Sequence, residues 1–378
     1  MRRLRVAIVI PGFPQGREEP GLASVVDLVE RLAAVHDVRV IALRHPPRSG
    51  MYELAGAHVR SLGLAHARGA TGRGRVLGGG IAAVLGLHRR ARLDLVHAMW
   101  ADEPGMVAAL AARLIRRPSV VSVMGGELVG LRDIGYGTAL GRGGRWATPV
   151  ALRRASLVTA GSTYLRGQIL AIRPGARVVL LPLGVDVDRF RPAHVMPGVQ
   201  TVLFVGSLEP VKDPALMLRI FAAVAHERRD VALRMVGSGS LRAHLDEIAA
   251  ELGIRDRVDF AGQLPRSAMP DAYRAASVLC VTSRHEAQSM AAVEAAASGV
   301  PIVGTRVGVL PDLGEGAIGV PVGDASGLSR ALAQILDDAA AASAMGQAGR
   351  RVATERYDIE RTTASVLGHY ADLAGRAS

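Results

Sequence analysis

Along the whole chain, short β-branched apolar runs alternate with segments whose apolar positions recur near every 3.6 residues. LRVAIVI (4–10), VRVIAL (38–43), DLVHAM (94–99), SVVSV (119–123), SLVTA (156–160) and RVVLL (177–181) read as strands. Between them, LASVVDLVERLAAV (22–35) and EPGMVAALAARLI (103–115) read as amphipathic helices. The proline-bearing polar stretch DVDRFRPAHVMPGVQ (186–200) interrupts this rhythm, which restarts with TVLFVG, VALRMVG, RVDFAG, SVLCVT and PIVGT. The pattern predicts an α/β chain of two Rossmann-like halves with parallel sheets, joined near 186–199. The expected division is 1–188, 189–358 and a final helix in 359–378 that packs back on the first domain. A dinucleotide-binding fold would place G-x-G-x-x-G directly after the first strand. PGFPQGREEPG (11–21) has the glycines at the wrong spacing, which disfavours a nicotinamide-dependent oxidoreductase.

Composition narrows this picture. A chain of 378 residues exceeds one ordinary core, and 49% hydrophobic with 21% charged residues is a globular balance. The weakly polar run Val76–Leu87 falls short of the roughly 20 residues a membrane span needs. MRRLRVAIVIPGFP lacks the length and small-residue cleavage site of a signal peptide. A single cysteine, Cys280, within the apolar run SVLCVT, suits a buried thiol in a reducing compartment, so a cytoplasmic location is expected.

Charge is divided unevenly. Residues 1–190 hold 27 Arg against 13 acids, and residues 191–378 hold 18 Arg and one Lys against 21 acids. The first half therefore invites an anionic partner, unless its arginines are simply solvated. Aromatic content of 3% argues against single-stranded nucleic acid, which needs stacking platforms.

Two features suggest chemistry. In SRHEAQSMAAVEAAASG (283–299), Glu286 and Glu294 stand eight positions apart. On one helix they would lie about 12 Å apart. That suits two ends of one extended ligand better than the closer carboxylate pairs that flank a single glycosidic bond. A helix starting between Glu286 and Met290 would turn backbone N–H groups of Ala287, Gln288, Ser289 and Met290 toward a phosphate. The structural alternative is a Ser283-x-x-Glu286 capping box with Glu294 facing solvent. Lys212, in FVGSLEPVKDP, is the only lysine among 46 basic residues and follows a strand and glycine turn, where open α/β sheets bind ligands. Asp186-x-Asp188 spells a motif that holds divalent cations in other transferases, but its place in the interdomain connection assigns it a structural role. No His/Cys/Asp cluster has metal spacing, and no metal is expected.

LPLGVDVDRF, FVGSLEPVKD, GSGSLRAHLDEIAAELGIRDRVDFAGQLP and SRHEAQSMAAVEAAASGVPIVGTRVG, in this order, resemble the C-terminal half of a family 4 retaining glycosyltransferase of the GT-B fold. VHAMWADEPG and VSVMGGEL are compatible with its first half. The resemblance implies two domains facing across a cleft and transfer of a hexose-type sugar from a nucleotide diphosphate sugar to an acceptor, with retention of configuration. Glu286 would contact the donor sugar, Glu294 the ribose and Lys212 the diphosphate. Backbone of 287–290 would meet the sugar and phosphates, with Ser207 and Gly237 beside them and Gln263 and Leu264 bordering the base. Gly125, Gly126, Glu127 and His97 would lie on the acceptor side.

The chain departs from that family where Ser207 replaces an arginine, leaving Arg284 or Arg306 as substitutes. It departs again where Ala287-Gln288-Ser289 replaces Gly-Phe-Gly, and where Met124 replaces a histidine. Those losses keep two alternatives open: a non-transferring enzyme of the same fold (an epimerase or phosphorylase), or a weakly active sugar-nucleotide-binding protein. The expected partners are a UDP- or GDP-linked sugar and a lipid-linked or polysaccharide acceptor, without nucleic acid or cofactor. Residues 66–92 carry six arginines around an apolar stretch, and 142–154 carry four beside Trp146. These suit peripheral contact with an anionic membrane.

Overall fold

The computed structural model describes residues 2–19, 22–192 and 199–376. Residues 193–198 of the expected connection, and Pro20 and Gly21 of the early glycine loop, lie outside them. The described chain forms two compact units, one reaching Leu183 and rejoined from Glu360 on, the other spanning Gly184–Ile359.

The first unit is built on β1 (Arg5–Gly12), β2 (Asp37–His45), β3 (Gly50–Leu54), β4 (Ala57–Ser61), β5 (Leu95–Met99), β6 (Ser119–Val123), β7 (Leu157–Ala160) and β8 (Val178–Leu180). They pair in the order β3-β4-β2-β1-β5-β6-β7-β8, parallel throughout except for the β3–β4 hairpin. Val6 to Ile10 of β1 are fully enclosed. A central parallel strand covered on both faces explains why its sequence is continuously apolar rather than alternating. Helix Ala23–Val35 covers one face through Val25, Val26, Leu28, Val29 and Leu32. The terminal helix Ile359–Arg376 contributes Val366 and Tyr370 to the same core.

The second unit contains β9 (Gln200–Val205), β10 (Val231–Val236), β11 (Val258–Gly262), β12 (Val278–Val281), β13 (Ile302–Thr305) and β14 (Ala317–Val320). Their order is β11-β10-β9-β12-β13-β14, with every pairing parallel. Helix Pro214–Glu227 lays Met217, Leu218, Ile220 and Phe221 on the sheet. The two segments that bound the unit meet where Val185 N–H donates to Tyr357 O at 2.7 Å and Ile359 N–H to Val185 O at 3.0 Å.

β3, β4 and β14 do not stand out in the hydrophobic pattern. The β3–β4 hairpin turns through Ala55 and Gly56, both at positive φ, where Asn-Gly would be the recognisable signal. β14 is four half-buried residues, too short to show a period.

In both sheets, chain order reverses beside the first strand. The reversal falls between β1 and β5 in the first unit and between β9 and β12 in the second. Such a reversal at the carboxyl ends of the strands is the preferred ligand position in parallel sheets.

Candidate functional site

At the β9/β12 reversal, the turn after β9 carries Lys212 and the loop after β12 carries Glu286. Lys212 Nζ donates to Glu286 Oε1 at 2.5 Å, and Ser283 Oγ donates to the same oxygen at 2.7 Å. Backbone ties hold the two loops together. Thr282 Oγ1 donates to the carbonyls of Lys212 and Asp213 at 2.8 and 3.0 Å, and Arg284 N–H donates to Val211 O at 2.8 Å. Asp213, at φ +47°, caps helix Pro214–Glu227 through Leu216 N–H, which fixes Lys212 one residue ahead of the cap. The lysine side chain keeps 25% exposure, whereas that of Glu286 keeps 10%. An ammonium with an open side can exchange part of its carboxylate contact for an incoming phosphate.

The helix beyond Glu286 runs Met290–Ala297, so Glu286 lies in the preceding loop and the 12 Å single-helix geometry does not apply. Ser289 stands at its N-cap with φ +72° and makes no side-chain cap bond. Gly308 packs against this loop so closely that a Cβ would come 2.5 Å from Gln288 O and 2.9 Å from Glu286 Cβ. Ala287 and Gln288 are buried beneath it.

Glu294 is half-buried rather than turned out to solvent. Tyr273 O–H donates to its Oε2 at 2.8 Å, and the Tyr273 ring meets Phe190 edge-on at 5.8 Å. Burial pushes the Glu294 carboxyl up to about 7, against the pull of Tyr273, Arg266 and Arg189. Tyr273 is the residue that sequence reasoning missed here; the distance between YRAAS and the E-x7-E run hides the contact.

Nearby, Gly237 at φ +140° stands so close to Gly206 O that no side chain fits between them. Ser207 and Gln263 are exposed, and Leu264 packs on the apolar cluster around Tyr273. Arg306 is exposed and donates to Gly319 O at 2.8 Å.

The β1/β5 reversal in the first unit holds a cavity of about 590 Å³. Pro11, Gly12 and Leu22, then Trp100 and Asp102, and then Gly126, Glu127, Tyr136, Gly137 and Thr138 line it. Glu127 is 2% exposed and stitches the loop after β5 to that after β6. Its Oε1 accepts from Ala101 and Met124 N–H at 3.1 and 2.9 Å, and its Oε2 from Gly125 N–H at 2.6 Å. Burial raises its carboxyl in spite of these donors. Gly126 is required because a Cβ would stand 2.8 Å from the Tyr136 ring. Met124 packs against the apolar core, which fits its thioether where the resemblance expects an imidazole.

His97 does not join this cavity. It is 1% exposed, its Nδ1 pairs with Tyr370 Oη at 2.6 Å and its Nε2 with Ser122 Oγ at 2.7 Å. Burial depresses the imidazole to about 3. His97 thus anchors the terminal helix to β5 and β6. Asp186 Oδ1 accepts from the N–H groups of Asp188 and Arg189 at 3.1 and 3.0 Å, which makes the D-x-D stretch a turn. Among the described residues, no three His, Cys, Asp or Glu side chains are grouped to hold a metal. Cys280 is buried, with its thiol pushed up to about 12.

The chain is thus an α/β protein of two largely parallel sheets, with a cavity at the reversal of the first and a lysine–carboxylate pair beside a helix start at the reversal of the second. A model of glycosyl transferases group 1 matches residues 186–352, and one of the glycosyl transferase 4-like domain matches 22–184. The chain is 30% identical over 322 residues to the 2-deoxystreptamine glucosyltransferase of Streptomyces kanamyceticus, covering 77% of this chain and 80% of that protein. It is 32% identical over 208 residues to a D-inositol 3-phosphate glycosyltransferase of Streptomyces avermitilis, covering 49% of this chain and 43% of that one. In fold it is similar to sucrose-phosphate synthase from Thermosynechococcus elongatus, with TM-score 0.83 at 20% identity over 99% and 100% of the two chains. Anabaena HepE in complex with UDP-glucose gives TM-score 0.75 at 18% identity over 98% and 100%. The chain belongs to the glycosyltransferase group 1 family, retaining enzymes of the GT-B fold. It transfers a hexose from a nucleotide diphosphate sugar to an acceptor.

Proposed function

We propose that the second unit binds UDP-glucose at the β9/β12 reversal and that the first unit binds the acceptor in the cavity at β1/β5. The observation that carries the donor assignment is the Lys212–Glu286–Ser283 cluster beside the start of helix Met290–Ala297. Lys212 would meet the diphosphate, and Glu286 would turn to the glucose hydroxyls. Glu294, held by Tyr273, would take the ribose. Ala287 to Met290 would line the sugar and phosphates, Ser207 and Gly237 the phosphate side, and Gln263 and Leu264 the base. The helix start and the ammonium would stabilise the charge that grows on the departing diphosphate. UDP and glucose are favoured because HepE was solved with UDP-glucose and the Streptomyces kanamyceticus relative is named a glucosyltransferase. A thermal-shift panel of UDP-, GDP- and ADP-glucose tests this: the largest stabilisation is expected from UDP-glucose, and an equal response to all three would overturn the choice of base.

The relatives' names point to two kinds of acceptor, an amine-bearing ring and a phosphate-bearing ring. Gly125, Gly126 and Glu127 border the acceptor in this reading. The outer surface of the same unit supports peripheral contact with an anionic membrane. The Arg73 side chain lies against Gly143, bringing the two basic stretches together, and Trp146 is 61% exposed beside them. No described helix is long and apolar enough to cross a membrane. Pelleting with anionic but not neutral vesicles, lost as salt rises, is the expected result. Equal pelleting with both would remove the membrane from this reading.

A further inference from the structure

A second cavity of the first unit, of about 580 Å³, lies between helix Gly69–Ala91 and the β3–β4 hairpin, among residues that neither substrate reading uses. Strand register sets its character. Ile41 of β2 pairs with Arg60 of β4, and Arg60 pairs with Met51 of β3, so the three side chains stand on one face of the sheet. Ile41, 2% exposed, forms the floor; Leu62 and Leu87 are half-buried, and Arg60 and Arg90 are exposed at the rim. Among the described residues no acid lines the cavity. Arg39 is spent on Asp37, at 2.8 and 3.2 Å, and His58 on Glu53, at 2.8 Å. Arg60 and Arg90 have no carboxylate or carbonyl partner among the described residues. Gly86 leaves a gap in the helix wall, where a Cβ would meet nothing within 4 Å. Apolar walls below two unpaired guanidinium groups fit a molecule with an anionic head and an apolar body. A bare anion would leave the walls in water, and a neutral hydrocarbon would leave the guanidinium groups unpaired.

We infer that this cavity holds one anionic phospholipid, its phosphate on Arg60 and Arg90 and an acyl chain along Ile41, Leu62 and Leu87. Continuity with the surface around it selects a membrane lipid. Arg90 belongs to the basic stretch 66–92, and Met51, 79% exposed, carries apolar surface past the rim. The choice of a lipid therefore rests on the membrane reading of this unit, to which the cavity adds a saturable site. Diffuse attraction of arginines to an anionic surface needs no cavity; a site that takes one lipid needs both the guanidinium pair and the apolar walls. Sequence reasoning counted Arg90 in the basic stretch and passed over Arg60 and Met51, because β3 and β4 do not stand out in the hydrophobic pattern.

The test is calorimetric titration of the full chain with dihexanoyl phosphatidic acid kept below its micelle concentration. Saturable binding of one lipid per chain is expected, with dihexanoyl phosphatidylcholine and inorganic phosphate each weaker by about tenfold or more. Arg60→Gln and Arg90→Gln should each weaken the phosphatidic acid by about tenfold, as loss of a charge-assisted bond implies. Gly86→Leu fills the gap, keeps every arginine and suits a helix interior. It should abolish binding of the monomeric lipid while pelleting with anionic vesicles persists, a separation that surface attraction alone would not produce. Equal affinity for the two lipids, inorganic phosphate bound as tightly as the phosphatidic acid, no lipid binding, or a Gly86→Leu variant with unaltered affinity would each overturn the site. The ranking in the parent protein decides the matter even where a variant folds poorly. Pelleting with anionic vesicles when the monomeric lipid fails to bind would leave the membrane reading standing without the site. Monomeric lipid bound while such vesicles do not pellet would uphold the site and sink the membrane reading.

Discussion

The two units use the same device for opposite chemistry. Each sheet reverses its chain order beside its first strand and gathers side chains from the loops above that point. In the second unit the loops bring a lysine to a carboxylate and a helix start, an arrangement that pairs charges and keeps one cation partly open. In the first unit the loops bring the carboxyl groups of Asp102 and Glu127 together with aromatic rings, and no cation among the described residues lines the cavity. The first half of the chain is nevertheless the more basic one. Net charge over a domain describes its surface, and a buried site answers to its own few neighbours.

Lys212→Ala is the sharpest way to break the contrast. It removes the cation that pairs with Glu286 at the β9/β12 reversal, and charge-assisted contacts are worth about 1.5–3 kcal/mol. Donor affinity and kcat/KM are expected to fall about tenfold to a hundredfold. Affinity for an acceptor of the first unit should not change, and donor kinetics equal to the parent's would return Lys212 to a structural partner of Glu286.

A smaller effect is expected from Tyr273→Phe, which takes one hydrogen bond from Glu294. Losing one such bond costs about 1 kcal/mol, a several-fold loss of UDP affinity. Glu294→Gln should weaken UDP by a similar factor, and the double variant should lose less than the sum, because the two act through one contact. Strict additivity in that cycle, measured by calorimetry, would separate Tyr273 from nucleotide binding.

Asp102→Asn sharpens the other side of the comparison through stability. The folded chain holds the Asp102 carboxyl near 7, well above its ordinary 3.8. Between those values the unfolded chain binds fewer protons than the folded one, so this group's contribution to stability falls as pH rises. The variant is therefore expected to melt higher than the parent at pH 8, with the difference shrinking as pH falls through that window toward 3.8. A gain of about 2–4 °C corresponds to each kcal/mol released. Equal melting temperatures of variant and parent at pH 8 would show that the side chain is better solvated than its surroundings imply.

The smallest effect concerns Ser289. A left-handed conformation costs a non-glycine residue about 1 kcal/mol, and no side-chain cap bond offsets it. The family resemblance expects glycine at this position. Ser289→Gly should raise the melting temperature of the second unit by about 2–4 °C. No gain would mean that the serine is held by contacts beyond the cap.

Legible in the sequence alone were the alternation of strands and helices, the restart near residue 200, the membership in the group 1 family and the residues of the Lys212–Glu286 cluster. Periodicity and contiguous motifs are local, so Lys212, Glu286 and the helix start at Met290 are each visible within a few residues of the chain. Contacts between distant segments were decided only by tertiary structure. His97 looked like a cleft residue until Tyr370, 273 positions away, was placed against it. Glu294 was expected at the ribose, with solvent exposure as the alternative, and only the fold set Tyr273 against it. Asp102 drew no notice in the sequence, and only β1, β5 and β6 set side by side placed it on the cavity. What a carboxylate does depends on what it is buried beside, and strand order, which no local pattern encodes, chooses those neighbours.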